Sequence, residues 1–460
     1  MRTMNRTMLT IPLICLSLSF GFALAHDYVP GEKQKTAVLV AGGDLHTVTQ
    51  GVLVNTDILL ENGRISAIGK QLSPPPGAKI IDATGQQVYP GLIDPNSSLG
   101  LIEIEQARAT NDMSERGQDN PDVQAHIAYN PDSEIIPTVR SNGIASALIV
   151  PSGSLLRGRS SLINLDGWTK EDAMEKENAA LHLSWPRVSI ITAWWLEQSA
   201  EDQKKENEAN RKRLEEVFEQ AKSYYIAKKA DPNLPVDSRW EAMVEVFDKS
   251  LPVFIHCDDM RQIELAVDFA KKYDLRIAIV GGAETYKAVK ILKENNIPVV
   301  LERTQQMPMR NDDPYDLAYT LPKMLSDAGI KYCLSQSASW ATRNLPFQAG
   351  QAAAFGLDKE AALRSITLST AEILGVEKNL GSLEVGKKAT IVVSKGDILD
   401  QLTNQVTYMF IDGRQIDLDN KHKELYRKYQ EKISRASGAN GANGSNGSKK
   451  DSGTAVKATN

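Results

Sequence analysis

Hydrophobic positions along this chain follow two rhythms. From about residue 240, short apolar runs alternate with stretches whose apolar residues recur at helical spacing. Pro252-Val253-Phe254-Ile255, Arg276-Ile277-Ala278-Ile279-Val280, Ile297-Pro298-Val299-Val300-Leu301 and Lys331-Tyr332-Cys333-Leu334-Ser335 read as buried strands. Such runs are too short for helices and carry many β-branched residues. Residues 261–273, 285–293 and 315–328 read as the helices between them. Strands alternating with helices of this length predict a parallel sheet, closed by right-handed crossovers into a TIM-type (α/β)8 barrel. Upstream, residues 143–150 predict another buried strand, ended by Pro151-Ser152-Gly153, and Leu162-Ile163-Asn164-Leu165 a further short one. Residues 201–229 predict a charged helix with Leu214, Val217, Phe218, Ala221 and Tyr225 on one face. Its charges read as a solvated face, and Trp194-Trp195 before it as packing for this insertion.

The other rhythm belongs to residues 36–90, where Ala37-Val38-Leu39-Val40, Val52-Leu53-Val54 and Asp57-Ile58-Leu59-Leu60 are short strands broken by turn residues. Glu61-Asn62-Gly63-Arg64 is a hairpin signal, because Asn-Gly readily takes the positive φ angles of a tight turn. Tyr89-Pro90-Gly91-Leu92-Ile93-Asp94 then reads as a strand that ends in the polar residues Pro95-Asn96-Ser97-Ser98. Residues 103–133 are polar and irregular, as expected of a loop at the end of a barrel strand, where sites are built. Residues 418–436 predict a charged terminal helix, and the Gly-, Asn-, Ser- and Lys-rich residues 437–460 a disordered tail.

Composition narrows the picture little: 460 residues, 42% hydrophobic and 24% charged, suffice for a barrel with additions. Residues 1–25 read as a secretory signal peptide, with Arg2 and Arg6, an apolar run over 8–24, and the small-x-small site Ala23-Leu24-Ala25 before His26. Ile14 is too bulky before Cys15 for a lipidation site. The expected location is therefore secreted, in the periplasm, with no membrane attachment after cleavage. Loss of Arg2 and Arg6 takes the net charge from −5 to −7, which argues against nucleic acid as a partner. Cys257 and Cys333 remain, and their pairing is open.

The segment 89–100, Thr367-Leu368-Ser369-Thr370-Ala371-Glu372-Ile373-Leu374-Gly375, residues 381–393 and Tyr408-Met409-Phe410-Ile411-Asp412-Gly413-Arg414 together resemble the amidohydrolase superfamily, in its imidazolonepropionase and prolidase-like branch. The resemblance spans about residues 36–416 and implies a small β-sandwich domain built from both ends of the chain, residues 26–90 and 381–417, around a barrel at 91–380 with a helical insertion near 200–230. It also implies hydrolysis of carbon–nitrogen bonds, as in cyclic amides or peptide-like compounds. In the family a divalent metal such as zinc makes hydroxide near neutral pH.

The family's ligand positions are poorly matched. Asn96 and Ser98 stand where His-x-His is expected; neutral amide and hydroxyl oxygens are weak donors to zinc. The sixth strand ends in Gly281-Gly282-Ala283-Glu284 without a histidine, and the eighth in Ser335-Gln336-Ser337 without an aspartate. His256, at the end of the fifth strand, is the ligand position that matches. No metal site is therefore assigned and no cofactor predicted. His256, Glu284 and Asp94 are the candidate catalytic residues. Asn96, Ser98, Asp258, Glu302 and Ser337 are the candidate substrate-binding residues. Glu103 and Glu105 are within reach of the same mouth, capping is a sufficient role for Asp258 and Asp259, and Arg157-Gly158-Arg159 either offers cations and backbone donors to an anion or is a plain surface loop. Three functions stay open: a hydrolase with an altered site, a non-catalytic protein binding a small-molecule ligand, and a metal-independent hydrolase using His256 and nearby carboxylates. A homo-oligomer or a paralogous partner fits any of them.

Overall fold

The structure is a computed structural model, and it describes residues 28–442 except Ser154 and Ala193, with side chains as far as residue 435. The expected signal segment and residues 443–460 of the expected tail lie outside the described residues.

Two eight-stranded sheets carry the fold. The first contains β1 (Val38–His46), β2 (Val52–Glu61), β3 (Arg64–Gly69), β4 (Lys79–Asp82) and β5 (Gln87–Pro90). The Asn62-Gly63 turn joins β2 to β3 with φ of 52° and 77°, as the hairpin signal predicts. The second sheet contains β6 (Leu92–Ser97), β7 (Ile144–Ile149), β8 (Leu156–Asn164), β9 (Met174–Ser184), β10 (Val253–Cys257), β11 (Ile277–Gly281), β12 (Val299–Leu301) and β13 (Tyr332–Leu334). The chain then returns to the first sheet with β14 (Ile391–Ser394), β15 (Val406–Ile411) and β16 (Arg414–Gln415); β14 pairs with β5. The small domain is thus made from both ends of the chain. Gly91 joins it to the barrel: a Cβ there would lie 2.6 Å from both Ala145 and Thr390, so only glycine fits the junction.

The second sheet is a nearly closed barrel in strand order. Its ends meet where Asp94 Oδ1 accepts from the Gln336 N–H at 3.2 Å and the Ser337 carbonyl accepts from the Ser98 N–H at 3.1 Å. Helices Met260–Tyr273 and Leu317–Asp327 lie within a residue or two of their predicted spans, whereas the third shrinks to Val289–Glu294. One strand departs from the expected parallel series. β8 pairs antiparallel with both β7 and β9, so its first residues, not its last, lie at the mouth. β9 was not anticipated at all: its first half, Met174-Glu175-Lys176-Glu177-Asn178, carries none of the apolar alternation of a strand.

Inside the barrel, Ile93, Leu148, Leu162, Ala180, Phe254, Val280, Val300 and Cys333 form a dry cluster. Ala371, Leu374 and Leu380 join it from the chain after β13. Each large side chain fully buried in this way contributes roughly 1.5–3 kcal/mol. Cys257 and Cys333 are both free and buried. The charged helix runs Ala200–Ala230 and buries Leu214, Val217, Phe218 and Ala221, with Phe218 edge-on to Phe269 at 4.8 Å. Trp194 and Trp195 do not pack this insertion as expected; they are 93% and 68% exposed and touch each other edge-to-face. The terminal helix spans Lys421–Ala442, six residues beyond its expected end and into the segment expected to be disordered.

Candidate functional site at the barrel mouth

The centre of the mouth is a chain of hydrogen bonds across three strands. His182 on β9 and His256 on β10 meet with His182 Nδ1 2.8 Å from His256 Nε2. Beyond His182, its Nε2 is 2.8 Å from Ser160 Oγ on β8. Beyond His256, its Nδ1 is 3.2 Å from Arg157 Nη1, while Arg157 Nε donates to Ser184 Oγ at 2.7 Å. The strand register explains the meeting: Gly158 sits beside His182, and His256 beside Ser184.

The guanidinium fixes the direction of every bond, because arginine only donates. His256 Nδ1 must accept from Arg157, so its Nε2–H donates to His182 Nδ1. His182 Nε2–H then donates to Ser160, whose hydroxyl donates to the Ala180 carbonyl at 3.3 Å. Both imidazoles are thereby neutral and all four ring nitrogens are engaged. Electrostatics agree. Burial, and then the Arg157 charge, hold both histidines well below the usual imidazole range. Burial also lowers Arg157, to about 10, with Glu302 opposing that shift, so it stays charged at neutral pH.

Two cavities open around this chain. The larger, about 780 Å³, is lined by Arg157, Ser184, Arg187, His256, Asp258 and Glu302, among others. The second, about 510 Å³, includes Asn96, Ser98, Glu105 and Ser337. Arg157, His256 and Glu302 line both, so they stand at the junction. These volumes suit a small molecule.

The residues singled out in the sequence fall into three groups. His256, Asp258 and Glu302 share the larger cavity. The Asp258 carboxylate accepts from the Ala283 N–H at 3.2 Å and rests over Gly281, where a Cβ would come within 2.7 Å of it. Solvent in the cavity reaches Asp258, yet protein surrounds it closely enough that desolvation raises its pKa; desolvation and then Asp258 raise that of Glu302. Asn96, Ser98 and Ser337 face the second cavity, Ser98 Oγ donating to the Ser337 carbonyl at 3.1 Å.

In the third group Asp94, Glu284 and Glu103 line neither cavity, and Asp259 touches the larger one with its charge already paired. Asp94 lies fully buried at the seam of β6 and β13, with Oδ2 unpartnered and its pKa pushed up to about 8 by burial. Glu284 accepts from the Met260 N–H and pairs with Lys287 and Arg310, each at 2.8 Å. Asp259 caps the helix Met260–Tyr273 in a capping box with Gln262 and pairs with Arg261 and Arg310 at 2.9 and 3.0 Å. Glu103 is half-buried and accepts from Asn130 at 3.4 Å.

His182 was not foreseen. Its signal was available, since Ala179-Ala180-Leu181-His182 matches Val253-Phe254-Ile255-His256 in pattern, but β9 had not been recognised. Arg157 was expected in a loop, either anion-binding or plain surface. Its place at the mouth follows from the reversed β8.

A zinc centre of the family type does not fit this donor set. The two histidines spend their lone pairs on Arg157 and on each other, and a guanidinium stands against the imidazole that a cation would need. Among the described residues no group of three or more His, Cys, Asp or Glu is placed to hold a metal ion.

Fold and mouth together define a barrel-plus-β-domain protein with its site at the strand ends. The Amidohydrolase family profile matches residues 161–416, more than half of the chain, and the protein belongs to that family. The amidohydrolase tasK of Hapsidospora irregularis is 22% identical over 384 residues, 75% of this chain and 38% of that protein. A dihydroorotase of Geobacter sulfurreducens is 47% identical over only 57 residues, 12% of this chain and 13% of its own length. The chain therefore spans well under two thirds of these two relatives. An imidazolonepropionase of Treponema denticola is 25% identical over 378 residues, 75% of this chain and 86% of that one. Among solved structures, an amidohydrolase from Thermotoga maritima MSB8 superposes with a TM-score of 0.74 at 24% identity, over 83% of this chain and 99% of that one. A prolidase complexed with N-methylphosphonate-L-proline gives 0.51 at 18% identity, over 83% and 100%. These likenesses establish the shared fold.

Proposed function

We propose that the barrel mouth binds a small carbon–nitrogen compound, amide- or peptide-like, around a guanidinium that occupies the place of the family's metal. The observation that carries this reading is the directed chain Arg157–His256–His182–Ser160, which leaves no imidazole lone pair for a metal or for proton abstraction. The substrate class is supported by family membership and by relatives named imidazolonepropionase and dihydroorotase. Residues 1–25 support export to the periplasm, and no described helix is long and apolar enough to cross a membrane.

A second reading, metal-independent hydrolysis, draws on Asp258 and Glu302. Both line the larger cavity and both are raised by burial, the condition under which a carboxyl serves as a general acid. The two readings separate in one assay. Cyclic amides and dipeptides are presented to purified protein with and without EDTA, and with added zinc. The binding reading expects no turnover in any condition and probe binding that EDTA leaves unchanged. Turnover insensitive to EDTA and abolished by Glu302→Gln would favour the second reading. Hydrolysis that EDTA stops and zinc restores overturns both.

A further inference from the structure

Four charged groups of the larger cavity, Arg157, Arg187, Asp258 and Glu302, are not paired with one another, although Asp259 and Arg310 on the same lining pair at 3.0 Å. Arg157 makes its hydrogen bonds to Ser184 and His256, neither of which is anionic. Asp258 receives a single backbone N–H. Among the described residues, neither Arg187 nor Glu302 has a side-chain hydrogen bond or an ion pair. Arg187 nonetheless opposes the burial that raises Asp258, and Arg303 and then Arg157 oppose the burial that raises Glu302, so cations act on these carboxylates without forming an ion pair.

Directly beside them the protein pairs its charges closely. Asp259 and Glu284 hold Arg261, Lys287 and Arg310 at 2.8–3.0 Å. Arg157 and Glu302 are partly withdrawn from solvent, and a cation and a carboxylate left apart there are costly unless a bound molecule carries both complementary charges; Arg187 and Asp258 stand on the more open side of the same cavity.

We propose that this cavity takes a zwitterion, a free amino acid or short peptide, with its carboxylate on Arg157 and Arg187 and its ammonium between Asp258 and Glu302. This rests on the barrel mouth being a small-molecule site and names the ligand class for it. A guanidinium fixed through Nε and Nη1 presents its remaining edge to a carboxylate without further ordering. Two carboxylates whose charged forms are disfavoured by burial gain most from an ammonium placed between them.

The test is calorimetric titration of the full-length mature protein with glycyl-L-leucine, its N-acetyl form, its C-terminal amide and the doubly blocked compound. The free dipeptide should bind at least about tenfold more tightly than any blocked form, as loss of one charge-assisted contact implies. Arg157→Gln should weaken the free dipeptide about tenfold but leave its amide unaffected, and Glu302→Gln should spare the N-acetyl form in the same way. Arg310→Gln, which removes a paired cation from the same cavity wall, should change affinity less than about twofold. Should Arg157→Gln not fold, Arg187→Gln, at an exposed position, reads the same carboxylate contact. Equal affinity for the doubly blocked compound overturns the zwitterion and leaves the small-molecule site standing. Absence of dipeptide binding up to about 10 mM also overturns it, while the hydrolysis assay with EDTA and zinc judges the site itself.

Discussion

Asp258 and Asp259 are neighbours in sequence at the end of β10, yet their surroundings separate them. Asp259 caps a helix, pairs with two arginines and is held below the usual carboxylate range by Arg261. Asp258 faces the cavity with one backbone donor and is raised by burial. The paired cluster closes the helix–strand junction. Asp258, Glu302 and Arg187 close no such junction, and Arg157 is bonded only to the neutral partners Ser184 and His256. Charges that find protein partners hold the fold together; charges kept from partners are available to a ligand.

The largest expected effect comes from the chain that positions Arg157. His182→Ala leaves the His256 N–H unpartnered, removes the bond that Ser160 Oγ accepts and opens a cavity in a buried place, and should cost about 3 kcal/mol in denaturant unfolding. A loss below about 1 kcal/mol would mean that the two imidazoles are not held by each other. Next, Asp259→Ala should cost about 2 kcal/mol through the lost cap and orphaned arginines, against about 0.5 kcal/mol or less for Asp258→Ala. Equal losses for the two aspartates would erase the distinction between the clusters.

Asp94 sharpens it from another side, as a buried carboxyl with no ion pair among the described residues. Its folded pKa of about 8 exceeds the unfolded value near 4, so the folded state holds a proton that the unfolded state releases. The corresponding stability is fully present below about pH 4 and is lost as pH rises toward about 8. Asp94→Asn should therefore gain on the wild type, by at least about 2 kcal/mol, between pH 5 and pH 8.5, followed by thermal melts at both pH values. A mutant whose deficit or gain stays constant with pH would show that Asp94 is ionised in its seam. The smallest effect belongs to Trp194→Ser, under about 0.5 kcal/mol, since its ring lies open to solvent. A larger loss would restore the packing role first expected of the pair.

Much of the architecture was legible because it rests on local rhythm. The runs that became β10 to β13 are apolar through their whole length, and Asn62-Gly63 specifies its turn alone. The site was less legible because it depends on pairing across strands. Nothing in Leu156-Arg157-Gly158 states that β8 runs backward, and that reversal is what brings Arg157 to His256. The polar first half of β9, which stays half-buried, hid His182 in the buried second half; pairing with β8 rather than apolar alternation makes it a strand. Asn96 and Ser98, by contrast, were legible as residues at the end of β6, but which side chains share the mouth with them depends on how the strands assemble.

The most direct measurement of the central claim, that a guanidinium and not a metal organises this mouth, is metal content after equilibration with zinc and dialysis. The account predicts well under about 0.1 zinc per chain retained, with His182→Ala and His256→Ala no different from wild type. About one zinc per chain in the wild type, lost in both histidine variants, would contradict it.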